Sequence, residues 1–306
     1  MLKYICKRIL GVIPTMIFVS IFVFMLVRLI PGNPARLVAG DEASIETVQR
    51  IEEELGLNKP LVTQYFRWIA DVFRGDMGNS IKTGKPVMYE ISLRYVNTIR
   101  LAGIAILWGV ALGLLIGIWA GVHRGKWQDY TGMTVSIAGQ AIPNFWIGLM
   151  LIVVFAVKLK WFPVTGAGTW RHLVLPVITL GTSLSATIAR FTRSSIIEVM
   201  KSDYTRTARA KGLSERVVIW KHVFRNSMIS VVTVVGLQFG HLLGGSVLVE
   251  SVFGFSGLGS LMVDSISNRD YFMIQALILI FAMHFVVVNL VVDVLYALMN
   301  PEIKFD

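Results

Sequence analysis

TIRLAGIAILWGVALGLLIGIWAGV, residues Thr98 to Val122, is the stretch that decides the fold. Beyond Arg100 it carries no charge, and roughly 20 apolar residues are what an α-helix needs to cross about 30 Å of hydrocarbon. Five further apolar stretches lie on either side of it: Ile9 to Ile30, Met133 to Val157, Leu173 to Ile188, Met228 to Val249 and Ile274 to Met299. The expected fold class is therefore an all-α integral membrane protein of about six transmembrane helices. Of the six, Leu173 to Ile188 gives the weakest signal, because Pro176 interrupts it and Thr182, Ser183, Ser185 and Thr187 dilute its hydropathy.

Composition agrees. A chain of 306 residues that is 55% hydrophobic, with mean hydropathy +0.66, carries more apolar surface than a soluble domain of that length buries. The net charge of +10 points away from nucleic acid, because the basic residues sit between apolar runs rather than on a polar domain. The single Cys6 excludes an internal disulfide and offers no zinc-type ligand cluster. Lys3, Lys7 and Arg8 precede the first span as in a secretory signal, but the apolar run is too long and lacks a small-residue cleavage site, so it reads as a retained anchor.

Orientation follows from Lys and Arg in the short loops. The N-terminus, the Arg124 to Lys126 turn and the Arg190 to Asn226 segment are basic, the last with nine basic against three acidic residues. These face the cytoplasm, which puts both termini inside. Lys158, Lys160 and Arg171 in a short outer loop oppose this and are outnumbered. Residues 31–97 hold eight basic and nine acidic residues and form an external cap insertion, because long loops cross largely regardless of charge. Within it, Ile45, Val48, Ile51 and Leu55 share one helical face ahead of Gly56 and Pro60, and a second amphipathic piece runs from Val62 to Phe73. The divisions are 1–30 (first span), 31–97 (cap) and 98–306 (core with five spans).

The most specific polar stretch is DYTRTARAKGLSERVVIWKHVFRN, Asp203 to Asn226. It is either a solvated basic loop against anionic headgroups or a docking helix. In the second reading Ala208 and Gly212, four apart, leave a side-chain-poor face flanked by Arg206 and Arg209.

Arg206, Thr207, Ala208, Arg209, Ala210, Lys211, Gly212, Leu213 and Ser214 (RTARAKGLS) resemble the coupling-helix motif of bacterial ABC importer permeases of the dipeptide, oligopeptide, glutathione and nickel family. The resemblance extends through RLIPGNPA (28–35), LGLNKPL (55–61), GDMGNS (75–80), IPNFW (142–146), ARFTRSS (189–195), GGSVLVE (244–250), FGFSGLG (253–259), RDY (269–271) and NLVVDVLYALMNPEI (289–303). In one departure, Arg206 stands where the general motif has an acidic residue. The resemblance implies an ABC importer permease fold, with 196–227 as the cytoplasmic coupling loop and a multi-pass location in the bacterial inner membrane. It also implies a second homologous permease in a heterodimer, two cytoplasmic ATP-binding subunits that hold ATP and Mg, and an external substrate-binding protein. The chain itself would bind no cofactor. Small peptides are the implied cargo, with nickel or a metal chelate as the alternative. An ion-coupled secondary transporter is the rival of another class. It predicts internal repeats, and none is visible.

Other polar residues are read more plainly. GFSGLG (254–259) lacks the Gly-Lys-Ser/Thr ending of a phosphate loop and reads as a tight or re-entrant turn. His241 and His284 lie within spans without carboxylate or thiol at ligand spacing, so no metal site is expected. Gln140 and Asn144 on one face of the third span, and Gln238 and His241 with Gly245 on one face of the fifth, are the candidates for the translocation path. Asn289 and Asp293 read as a structural pair. No acid and base, and no nucleophile with its base, can be assembled on one side of the membrane.

Overall fold

The computed structural model describes residues 2–29, 33–40 and 42–299, and among these every regular element is helical. Helix α1 (Leu2–Leu29) leads into a cap of α2 (Pro34–Ala39), α3 (Ile45–Leu55) and α4 (Leu61–Phe73). The core follows as α5 (Val87–Val122), α6 (Trp127–Ala141), α7 (Asn144–Leu151), α8 (Trp170–Met200), α9 (Asp203–Ala210), α10 (Glu215–Val217), α11 (Arg225–Val252), α12 (Leu258–Ser267) and α13 (Tyr271–Met299). Helix α7 widens into π-helical turns over Ile152–Lys158, and α10 into another set over Val218–Phe224 that leads directly into α11.

Local sequence sets many of these boundaries. Ser44 caps α3 by accepting from Thr47 N at 3.2 Å, and Gly56 ends it at φ +68°. The left-handed region is open to glycine at no steric cost. In the cap, Tyr65 and Trp68 of α4 pack against Phe24 of α1, and Arg28 of α1 donates to Gln64 at 2.8 Å.

Helices α5 and α8 form the centre of the fold. Gly109, Gly113, Gly117 and Gly121 line α5 at four-residue spacing and face Gly181 and Leu184, Ile188, Thr192 and Ile196 of α8 in turn. Residue numbers rise together, so the two helices run parallel. The backbones are close: a Cβ on Gly113 would lie 2.7 Å from Ile188 Cβ and 2.8 Å from Ser185 O. Gly113→Leu is therefore expected to destabilise the core by about 1–3 kcal/mol, the usual cost of overpacking, read as a lower melting temperature of the purified chain. Gly103→Leu, where a Cβ meets nothing within 4 Å, serves as the neutral comparison.

The apolar span expected over Met133 to Val157 is corrected to two helices bent by 97° at Ile142–Pro143. Proline lacks the N–H needed for the helix ladder and pushes its predecessor into extended geometry, seen here at Ile142 with φ −82° and ψ 127°. Since α5 and α8 are parallel, the chain between them must return the full length of the core. The bent pair is thus a broken span and not a re-entrant loop.

The fourth expected span also differs: α8 is a continuous helix of 31 residues, in which 61% of the most apolar 18-residue window is buried inside the protein, against 17% for α13. Several of its hydroxyls bond its own backbone, as Thr179 does to Leu175 O and Thr182 to Ile178 O, and Ser195 donates across to Ser227 O of α11 at 3.2 Å. Its low hydropathy reflects a helix surrounded by protein rather than lipid. Among the described residues α5, α8 and α13 are long and apolar enough to cross a membrane, and the bent pair, counted as one span, makes a fourth. Helices α1 and α11 have 28 residues each, about 42 Å at 1.5 Å per residue. Phe18, Phe22, Leu107, Leu115 and Val291 are exposed on the spans; in a bilayer they meet acyl chains.

Contacts between helix ends place the pieces relative to one another. Arg8 near the start of α1 pairs with Asp293 near the end of α13 at 3.1 Å. Asp293 thus pairs across helices rather than with Asn289, as the sequence reading had it. Asp270, at the head of α13, accepts from Ser80 of the cap loop at 2.5 Å and caps Met273 N at 3.2 Å. The cap lies at one end of the core. Helix α9, the head of α1 and the tail of α13 lie at the other.

Candidate functional site

Helix α9 is a short polar helix resting on a small hydrophobic core of its own. Ala208 is buried there with Ile196 of α8 and Val218 and Val223 of the π-helical segment. Thr205 donates to Val199 O at 2.8 Å, which ties the helix to the end of α8. Arg209 donates to both carboxylate oxygens of Glu215, at 3.1 and 2.7 Å, and closes the loop across Gly212. That guanidinium holds the Glu215 carboxyl below the usual carboxylate range. Gly212 adopts φ +76°, and a Cβ built on it meets nothing within 4 Å.

The face left to a partner follows from this packing. Asp203, Arg206, Thr207, Ala210, Lys211, Gly212, Leu213 and Ser214 are exposed, while Ala208 is not. The expectation that Ala208 and Gly212 form one outward small face is thus corrected: Ala208 is the seat of α9 on its own chain, and the small outward positions are Ala210 and Gly212. Spacing alone placed Ala208 and Gly212 together, but the helix ends at Ala210 and the left-handed turn carries Gly212 away from the Ala208 side.

The path candidates are separated as well. Gln140 is exposed near the end of α6 and Asn144 half-buried at the start of α7, so the break at Pro143 removes the shared face expected for them. Gln238 is half-buried on α11; the surroundings of His241 and Gly245 lie outside what is described. His284 forms a hydrogen bond with Tyr95 Oη at 2.6 Å and another with Ile280 O, in keeping with packing rather than ligation. Among the described residues no group of His, Cys, Asp and Glu could hold a metal.

Near the cap end lies a polar knot that residue types alone did not single out. Helix α12 begins at Leu258, with Gly257 at the N-cap, and its first N–H groups need acceptors. Leu258 N donates to Thr98 Oγ1 of α5 at 2.7 Å, and Gly259 N and Ser260 N donate to Glu250 Oε2 of α11 at 2.7 and 3.1 Å. The Thr98 hydroxyl in turn donates to Glu250 Oε1 at 2.8 Å. Glu250 is fully buried. A Cβ on Gly257 would sit 2.3 Å from its carboxylate, which is why a glycine stands there. GFSGLG is thus a tight turn that admits a carboxylate from a neighbouring helix. At the other end, Asp129 receives Arg193 through both oxygens, at 2.5 and 2.8 Å, and fixes the α5–α6 turn to α8.

Comparison with known proteins adds the context. Residues 113–305 match the family described as binding-protein-dependent transport system inner membrane component, and residues 1–102 match its N-terminal companion. The chain is 49% identical over 305 residues to the glutathione transport system permease protein GsiC of Salmonella paratyphi A, covering all of both chains. It is 48% identical over the same length to GsiC of Escherichia coli K12. Among solved structures, an inward-facing form of the MetNI methionine ABC transporter superposes with TM-score 0.61 at 16% identity, covering 70% of this chain and 97% of that one. An amino acid ABC transporter superposes at TM-score 0.52 with 19% identity, covering 71% and 95%.

Proposed function

This chain belongs to the binding-protein-dependent transport inner membrane components, and from that premise we propose that it forms half of the translocation pathway of an ATP-driven importer of small peptides, glutathione among them. It is a multi-pass membrane component of a family of transport permeases rather than of enzymes. The second half is a homologous permease, so the membrane unit is a heterodimer. Two ATP-binding subunits, which hold ATP and Mg, sit on the α9 end, and a substrate-binding protein docks at the cap end. The basic excess of the α9 segment puts that end, with both termini, in the cytoplasm.

The observation that carries the reading is α9: an exposed polar helix at the end opposite the cap, wedged onto α8 and α11 by one small core. A push on its outer face moves both helices, because Ile196 belongs to α8 and Val223 leads directly into α11. Helix α8 passes the motion to α5 through the glycine stripe, where backbones touch and nothing compressible intervenes. ATP binding closes the ATP-binding subunits and drives this movement toward the outward-open state. Substrate then enters from the binding protein, and hydrolysis resets the pathway. Peptide cargo is supported by the full-length likeness to glutathione permeases.

The test is reconstitution of the whole complex in proteoliposomes with its binding protein. Glutathione or a small peptide is expected to stimulate ATP hydrolysis and to accumulate inside the vesicles. Stimulation by a nickel chelate alone, with no peptide effective, would overturn the cargo assignment.

A further inference from the structure

Between the cap and α13 lies a cleft of about 190 Å³. Arg28, Lys59 and Arg67 line it, with Trp68 on the cap side and Phe272 and Gln275 on the α13 side. Gln275 is only 6% exposed, and its Nε2 has no hydrogen-bond partner among the described residues. A buried amide donor without an acceptor on its own chain takes one from outside it, a water or a ligand.

Charge identifies that group. Two of the three carboxylates that line the cleft face cations beyond it, Asp71 with Arg74 at 3.7 Å and Glu54 with Arg50 at 4.0 Å, while the third, Asp76, accepts from Gly78 N at 2.9 Å. The cations are not so matched. Arg67 and Lys59 form no ion pair among the described residues. Arg28 spends three donor contacts on the neutral partners Gln64 and Phe24 O, out of the five N–H groups a guanidinium carries. Cationic forks and an amide N–H₂ with no acceptor together fit a planar two-oxygen anion. The volume is smaller than the roughly 300–1,000 Å³ of pockets that enclose a whole ligand, so the cleft takes one end of a molecule. Trp68 and Phe272 offer apolar surface to the side chain beside that end.

We propose that this cleft binds the free C-terminal carboxylate of a small peptide, with Arg67 and Gln275 as its principal donors. The proposal rests on the peptide reading above and adds a place on this chain where that substrate class is held before it enters the pathway.

The test uses the full complex in lipid nanodiscs without binding protein, titrated with trialanine and with trialanine amide by saturation-transfer NMR. Trialanine is expected to bind saturably and the amide about tenfold or more weakly, the usual effect of losing one charge-assisted hydrogen bond. Arg67→Ala, on an exposed position of α4, is expected to weaken trialanine binding by about tenfold as well, and Arg67→Lys to restore part of it. Gln275→Leu, checked for an unchanged melting temperature, should weaken it in the same direction. Equal binding of acid and amide, or wild-type binding by both Arg67→Ala and Gln275→Leu, overturns the proposal. If those results occur while peptides still drive ATP hydrolysis, the cleft assignment alone falls. If trialanine binds as expected and no peptide drives hydrolysis, the carboxylate site stands and the cargo reading falls.

Discussion

Glu250→Ala is expected to lower the melting temperature of the purified chain by about 6–10 °C and to abolish transport. The substitution removes the acceptor for Thr98 Oγ1, Gly259 N and Ser260 N, all in a site that water does not reach. A buried donor left unpaired costs about 1–3 kcal/mol, and three are stranded together, so the total at the low end of that range is about 3–5 kcal/mol. At roughly 2 °C per kcal/mol for a chain of this size, that sum gives the predicted shift. Glu250→Gln keeps the shape and one acceptor oxygen for the α12 amides, so it is expected to lose less than half as much. The measurement is fluorescence-monitored thermal unfolding in detergent beside uptake in vesicles. An alanine variant that melts with the wild type would mean that the knot does not hold α12 at all.

That knot shows what the sequence could and could not disclose. Spans are legible because hydrocarbon imposes a length and a composition on them: α13 runs Tyr271–Met299 against an expected Ile274 to Met299, and α11 runs Arg225–Val252 against Met228 to Val249. Caps are legible when the capping residue is adjacent, as Ser44 is to α3. Glu250 caps a helix that begins eight residues later, with Thr98 supplied from 152 residues away. Nothing local distinguishes that glutamate from one at a water interface. The signal available was a carboxylate closing an apolar run directly before a glycine-rich turn. Two glycines that make room for its oxygens mark such a site from sequence.

Two departures from the expected spans, the break between α6 and α7 and the uninterrupted run of α8 through Pro176, share a cause. Hydropathy windows average over a helix and so miss a break set by one residue: Pro143 removes a donor and redirects Ile142 whatever the composition on either side. The same averaging ranked α8 lowest because it scores helices against lipid, whereas α8 is enclosed by other helices, and its hydroxyls find acceptors on its own carbonyls, as Thr179 and Thr182 do, or across on α11, as Ser195 does at Ser227 O. The Ala208–Gly212 face failed differently. Helical spacing holds only while the helix lasts, and α9 ends two residues before Gly212.

Gly212→Trp separates the two roles that the α9 loop combines. In the chain alone, a side chain at 212 meets open space, and the penalty is the positive φ of +76°, about 1–3 kcal/mol for a non-glycine residue held in that region. Gly212→Ala experiences this strain and nothing more. If an ATP-binding subunit seats the loop in a groove, the indole must also displace packed atoms, at about 1–3 kcal/mol, or about five- to 150-fold in affinity. Gly212→Trp is therefore expected to insert and to melt within a few degrees of Gly212→Ala, yet to lose its ATP-binding subunits on purification and to lose uptake, while Gly212→Ala keeps most of both. Ala208→Trp should behave in the opposite way, because Ala208 is enclosed by Ile196, Val218 and Val223: its melting temperature falls before any partner is added. Stoichiometric recovery of the ATP-binding subunits with Gly212→Trp, together with normal uptake, would show that the Gly212 surface faces water in the assembled transporter and that the force on α9 arrives through another face.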